Sequence, residues 1–197
     1  MPIARHIAAA IATMLAMAAF ACPAGAQDEP TAEAAMARVI HGALAPSSLG
    51  DWRYRWDAVS IRISRDMHWH LAGPDDADED TITRNGWISG GGLQIGVSAY
   101  GSGDTVTGIT MDYNRWPQFD DEPLPVLAAL TELGVEATEI ERKDAPNFYH
   151  ADAPIVVYRL SAPGRDSAEL TQSVQCTSPQ SAASQRCSMS YTLELGG

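Results

Sequence analysis

The sequence predicts an α+β fold, a largely antiparallel β-sheet packed by two helices, and three observations carry that prediction. Apolar and polar residues alternate over much of the chain, as in strands with one buried and one wet face. Leu93, Ile95, Val97 and Ala99 form one such run, and Met189, Tyr191, Leu193 and Leu195 another. The links between runs are short, so successive strands must turn back and pair antiparallel. Helical spacing of apolar residues, by contrast, marks two stretches, one opened by Pro30 and Thr31 and one over 124–133. The resulting order is helix, about four strands, helix, four strands. Two similar α-β-β-β-β halves are compatible with it, although no residue-level repeat accompanies them.

In chain order, Met36, Val39, Ile40 and Ala43 share one face of the first helix, which Gly42 and the Ala45-Pro46-Ser47-Ser48 cluster end. Residues 51–64 read as extended chain in two phases. Trp52, Tyr54 and Trp56 alternate with arginines, then Val59, Ile61 and Ile63 alternate with polar residues. The change of parity at Asp57-Ala58 requires a turn or bulge. Met67, Trp69 and Leu71 continue the apolar set. Asn85-Gly86, flanked by Ile82 and by Trp87-Ile88, predicts a two-residue hairpin, and Gly90-Gly91-Gly92 a flexible connection. Gly101-Ser102-Gly103-Asp104 predicts a second turn, from which Ile109, Met111 and Tyr113 return.

The segment 106–142 reads as strand, connection, helix, strand. Val126, Leu127, Leu130 and Leu133 form the helix's apolar face, Asp120 or Asp121 its cap, and Gly134 its left-handed C-terminal stop. The most β-branched strand is 155–160, and Pro163-Gly164 is a turn. Leu170, Val174 and Cys176 then face inward, answered across a terminal hairpin by Cys187 and the Met189 series.

Residues 1–26 form a targeting segment: Arg5, an uncharged apolar run from Ile7 to Ala21, and small residues at Ala24 and Ala26. The run is about 15 residues, short of the ~20 that span a bilayer. Removal leaves 27–197 as a single α+β domain, periplasmic or secreted. In that oxidising setting the two cysteines left, Cys176 and Cys187, are expected to form a disulfide. Without Arg5 there are 12 basic and 25 acidic side chains, a formal charge of −13. Lys143 is the sole lysine. So acidic a surface repels nucleic acid and anionic lipid.

Few residues carry a chemical signature. His68 and His70 place two imidazoles about 6.5–7 Å apart on one strand, a spacing open to a divalent metal. The acidic stretch 76–80 alternates carboxylates as calcium loops do, but Thr81 and Trp87 stand where such a loop needs glycine and glutamate. Gly101-Ser102-Gly103 lacks the nucleophile-elbow frame, and Gly90-Gly91-Gly92 precedes no helix that could hold a phosphate. Asp112, Tyr113, Asn114, Arg115 and Trp116, leaving a strand for a loop, form a candidate binding rim. The function expected is an exported, non-catalytic binding module that engages a protein or cell-envelope partner. Its alternatives are a periplasmic metal-binding protein using His68 and His70, and a small hydrolase with a carboxylate pair. No catalytic residue and no cofactor is assigned.

Overall fold

The structure, a computed structural model, describes residues 30–64, 67–71, 81–115, 125–143, 154–176 and 187–196, with the backbone alone at 68–71, 114–115, 125, 175–176 and 187. The targeting segment, the acidic loop and Trp116 lie outside them. Among the described residues three α-helices, α1 (Ala32–Ala43), α2 (Trp56–Ile63) and α3 (Pro125–Glu132), accompany eight strands. These are β1 (His68–Leu71), β2 (Ile82–Gly90), β3 (Leu93–Ser102), β4 (Thr105–Arg115), β5 (Glu136–Lys143), β6 (Ile155–Ser161), β7 (Ala168–Cys176) and β8 (Cys187–Glu194). All pair antiparallel in one sheet of order β1-β2-β3-β4-β8-β7-β6-β5.

Two four-stranded meanders, each preceded by a helix, therefore meet along the β4–β8 seam. The sheet order reads the same outward from that seam in both directions. The predicted α+β class and the two-part arrangement are both present, with α2 an addition peculiar to the first half.

One face of the sheet carries the core. Ile95, Val97 and Ala99 of β3, Ile109 and Met111 of β4, and Met189, Tyr191 and Leu193 of β8 are buried there with Met36, Ile40, Val126 and Leu130 from the helices. Burying side chains of this size is worth about 1.5–3 kcal/mol each. Tyr113 and Tyr191 lie parallel across the seam, ring centroids 6.5 Å apart.

The ends of α1 are held by named groups. The Thr31 side chain accepts a hydrogen bond from the Ala34 amide at 3.2 Å. At the other end Arg62 donates to the Gly42 and Ala43 carbonyls, and Arg165 to those of His41 and Leu44. Two guanidinium groups thus satisfy carbonyls that a helix terminus leaves unpaired, where the helix dipole is negative. At α3 the predicted stop is in place: Gly134 has φ 74, its amide donates to Thr131 and that of Val135 to Leu130.

Three expectations are corrected. Residues 51–64 are not extended. They comprise the end of a 3₁₀-helix (Ser47–Trp52), a turn, and α2. Trp56, Val59 and Ile63 are spaced i, i+3, i+7 and are buried, whereas Ile61 is 77% exposed. Of the three aromatics expected to alternate inward, Trp52 stands 62% exposed under the Arg55 guanidinium, and only Trp56 is buried.

Asn85-Gly86 is not a turn but lies inside β2, paired with Ser98 and Val97. The chain reverses at Gly91-Gly92, with φ 57 and 74. Finally, the apolar face of α3 is narrower than expected: Val126 and Leu130 are fully buried, while Leu133 is exposed.

Candidate functional site on the open face of the sheet

Because the helices share one core cluster with the inward side chains, the opposite face of the sheet has no helix over it among the described residues. Its composition follows from strand parity. One row across the strands is Asn85, Ser98, Thr110, Thr192 and Thr171, each opposite the next in the ladder. The Thr110 and Thr192 hydroxyl oxygens are 3.5 Å apart. The row on one side is Trp87, Gly96, Asp112, Ser190 and Ser173. On the other side run Tyr100, Gly108, Glu194, Glu169 and Arg159. Five strands at about 4.8 Å spacing make a polar platform roughly 20 Å wide.

Ion pairs and hydrogen bonds fix the edge of this platform. Tyr100 Oη donates to Glu194 Oε1 at 2.7 Å. A Cβ on Gly108 would collide with the Tyr100 ring, so the glycine lets Tyr100 cross β4 to reach β8. Burial first, and then this bond to the carboxylate, push the Tyr100 phenol well above its usual range. Arg159 pairs with Glu169 at 3.3 Å.

The platform's concave point is a notch of about 260 Å³ lined by Trp87, Gln94, Gly96, Asp112 and Tyr113. Its floor is Gly96, where an added Cβ would meet only the Asp112 carbonyl oxygen, at 3.8 Å. Trp87 and Asp112 flank that floor as the cross-strand partners of Gly96 on β2 and β4. The volume suits one ring of a longer molecule, being below the ~300–1,000 Å³ of pockets that enclose whole small ligands.

The sequence-predicted rim is only partly a rim. Asp112 is exposed in the notch. Tyr113 is 3% exposed and belongs to the core face, its hydroxyl donating to Met189 Sδ at 3.4 Å. Asn114 and Arg115 do not leave for a loop. They continue β4, opposite Ser188 and Cys187. Trp87, Gln94 and Gly96 were missed, because the expected turn at Asn85-Gly86 hid the β2–β3 pairing that sets Trp87 opposite Gly96.

Register sets His68 opposite Trp87 and His70 opposite Asn85 on the outermost strand. Their side chains lie outside the described residues. Among the described residues no three His, Cys, Asp or Glu side chains come together as a metal site would require. Cys176 and Cys187 are Cα partners in the β7–β8 ladder, their sulfurs likewise outside the described atoms. No helix among the described residues is long and apolar enough to cross a membrane. No protein-family model, curated protein or solved structure matches the chain.

Proposed function

We propose that this protein is an exported, non-catalytic binding module that holds a glycan strand of the cell envelope on the open face of its sheet. The observation carrying this reading is the notch, where an indole, a carboxylate and a carboxamide surround a glycine floor on a polar platform. An aromatic face covers the C–H surface of a sugar ring, while flanking amide and carboxylate groups take its hydroxyls and fix its orientation. The formal charge of −13 left once residues 1–26 are removed favours an uncharged or basic polymer over nucleic acid or anionic lipid.

Export rests on the pattern of 1–26. A disulfide between Cys176 and Cys187 suits the same compartment. Opposed residues of an antiparallel ladder have Cα atoms about 4.5–5.5 Å apart, inside the range that a disulfide bridges.

The test is co-sedimentation of the mature chain with purified peptidoglycan sacculi, alongside calorimetric titration of soluble neutral oligosaccharides. Gly96→Val fills the notch where space is open, so it should keep the melting temperature and lose at least about tenfold in retention. Asp112→Asn should weaken binding less. Unchanged retention of Gly96→Val, absence of wild-type retention, or release of new reducing ends from the glycan would each overturn the proposal.

A further inference from the structure

A second concavity lies on the helical side of the molecule, where α1, the end of α2, the end of β2 and the residue after α3 converge. It is a cleft of about 380 Å³, within the size range of small-molecule pockets. The titratable side chains lining it are Arg38, His41 and Arg62, and the apolar part includes Ile63, Ile88 and Leu133. Among the described residues no carboxylate lines it, in a chain where acidic residues outnumber basic ones 25 to 13.

The other arginines whose side chains are described each have a partner. Arg53, Arg55, Arg142 and Arg159 pair with carboxylates, and Lys143 with Glu141. Arg84 lies over the Trp56 ring, and Arg165 donates to carbonyls of α1. Arg38 and Arg62 make no ion pair among the described residues. Arg62 commits Nε and Nη2 to the Gly42, Ala43 and Arg53 carbonyls, yet its Nη1 is buried with no hydrogen-bond partner. That nitrogen is closed off from solvent, so Arg62 acts on a ligand through its charge, whereas the exposed Arg38 guanidinium is free to bond.

We infer that this cleft binds a small organic carboxylate, its head group on Arg38 in the field of Arg62 and its apolar body against Ile63, Ile88 and Leu133. The Arg38 guanidinium can meet a carboxylate through two parallel hydrogen bonds, whereas the apolar half of the lining favours a monoanion with a hydrocarbon body over a bare dianion. The arginines, not His41, supply the attracting charge, because burial and then the neighbouring Arg165 hold its imidazole below the usual range. The site is separate from the open face, and its occupancy does not depend on the glycan reading.

Octanoate is the probe, titrated calorimetrically into the full mature chain, with 1-octanol as neutral counterpart and inorganic phosphate as head group alone. Octanoate should bind at least about tenfold more tightly than either. Arg38 is exposed and makes no structural bond, so Arg38→Gln should leave the melting temperature in place and weaken octanoate about tenfold or more. Gly96→Val, on the opposite face, should leave octanoate binding unchanged. No octanoate binding, equal binding of octanoate and octanol, tighter binding of phosphate, or an unaffected Arg38→Gln would each overturn the assignment.

Discussion

A methyl group at Gly90 would lie 2.7 Å from the Thr31 carbonyl oxygen and 2.9 Å from Ala32 Cα, both backbone atoms where α1 begins. Backbone cannot swing aside as a side chain can, so Gly90→Ala should destabilise the fold by about 1–3 kcal/mol, read as a lower urea midpoint at unchanged slope. A second residue-scale prediction concerns His41, whose folded pKa is depressed below the unfolded 6.5. The neutral imidazole is the form the fold favours. Its contribution is therefore complete above the unfolded pKa and is lost as pH falls toward the folded value. Wild type should lose more melting temperature between pH 7.5 and 5.5 than His41→Gln does, and parallel losses would contradict the depressed pKa. Little at this scale was legible from sequence. Gly90 read as part of a flexible run, and the close approach of β2 to α1 that makes it necessary exists only in three dimensions.

At the scale of elements the misreadings share a physical cause. Val59, Ile61 and Ile63 alternate as a strand would, yet Trp56, Val59 and Ile63 also satisfy a helical face, and eight residues contain too few repeats to separate the periods. The structure separates them, and a mutant pair can do so in solution. Val59→Ala should cost about 1–3 kcal/mol, while Ile61→Ala, at a side chain 77% exposed, should stay within about 0.5 kcal/mol. Comparable losses at both positions would restore the strand. The hairpin turn was misplaced for a related reason. A two-residue turn of this hand needs two consecutive residues at positive φ, and Gly91-Gly92 meets that requirement better than Asn85-Gly86 does. Where a signal had no local rival it held. The helix opening at Pro30-Thr31, the Gly134 stop and the alternation of the terminal hairpin all stand where the residues placed them.

For the whole molecule, the succession of helix and strands was readable, and the meeting of two meanders at β4–β8 was not, since no periodicity records which distant strands become neighbours. Likewise the notch joins Trp87, Gly96 and Asp112 from three strands, and only register brings them together. The proposed Cys176–Cys187 bridge closes a short loop beside that seam, worth roughly 2.5–3 kcal/mol in chain entropy. Reduction should lower the melting temperature, and mass spectrometry should count no free thiol before it; two free thiols or an unmoved melt would remove the bridge. The seam also orders events in time. β8, late in sequence, occupies the middle of the sheet, so β4 presents a bare strand edge until the second meander arrives. An unpaired edge next to a formed core is a template for any other extended chain. A chain truncated before β8 should therefore fail by self-association rather than by simple loss of structure, the first meander of one molecule recruiting that of the next.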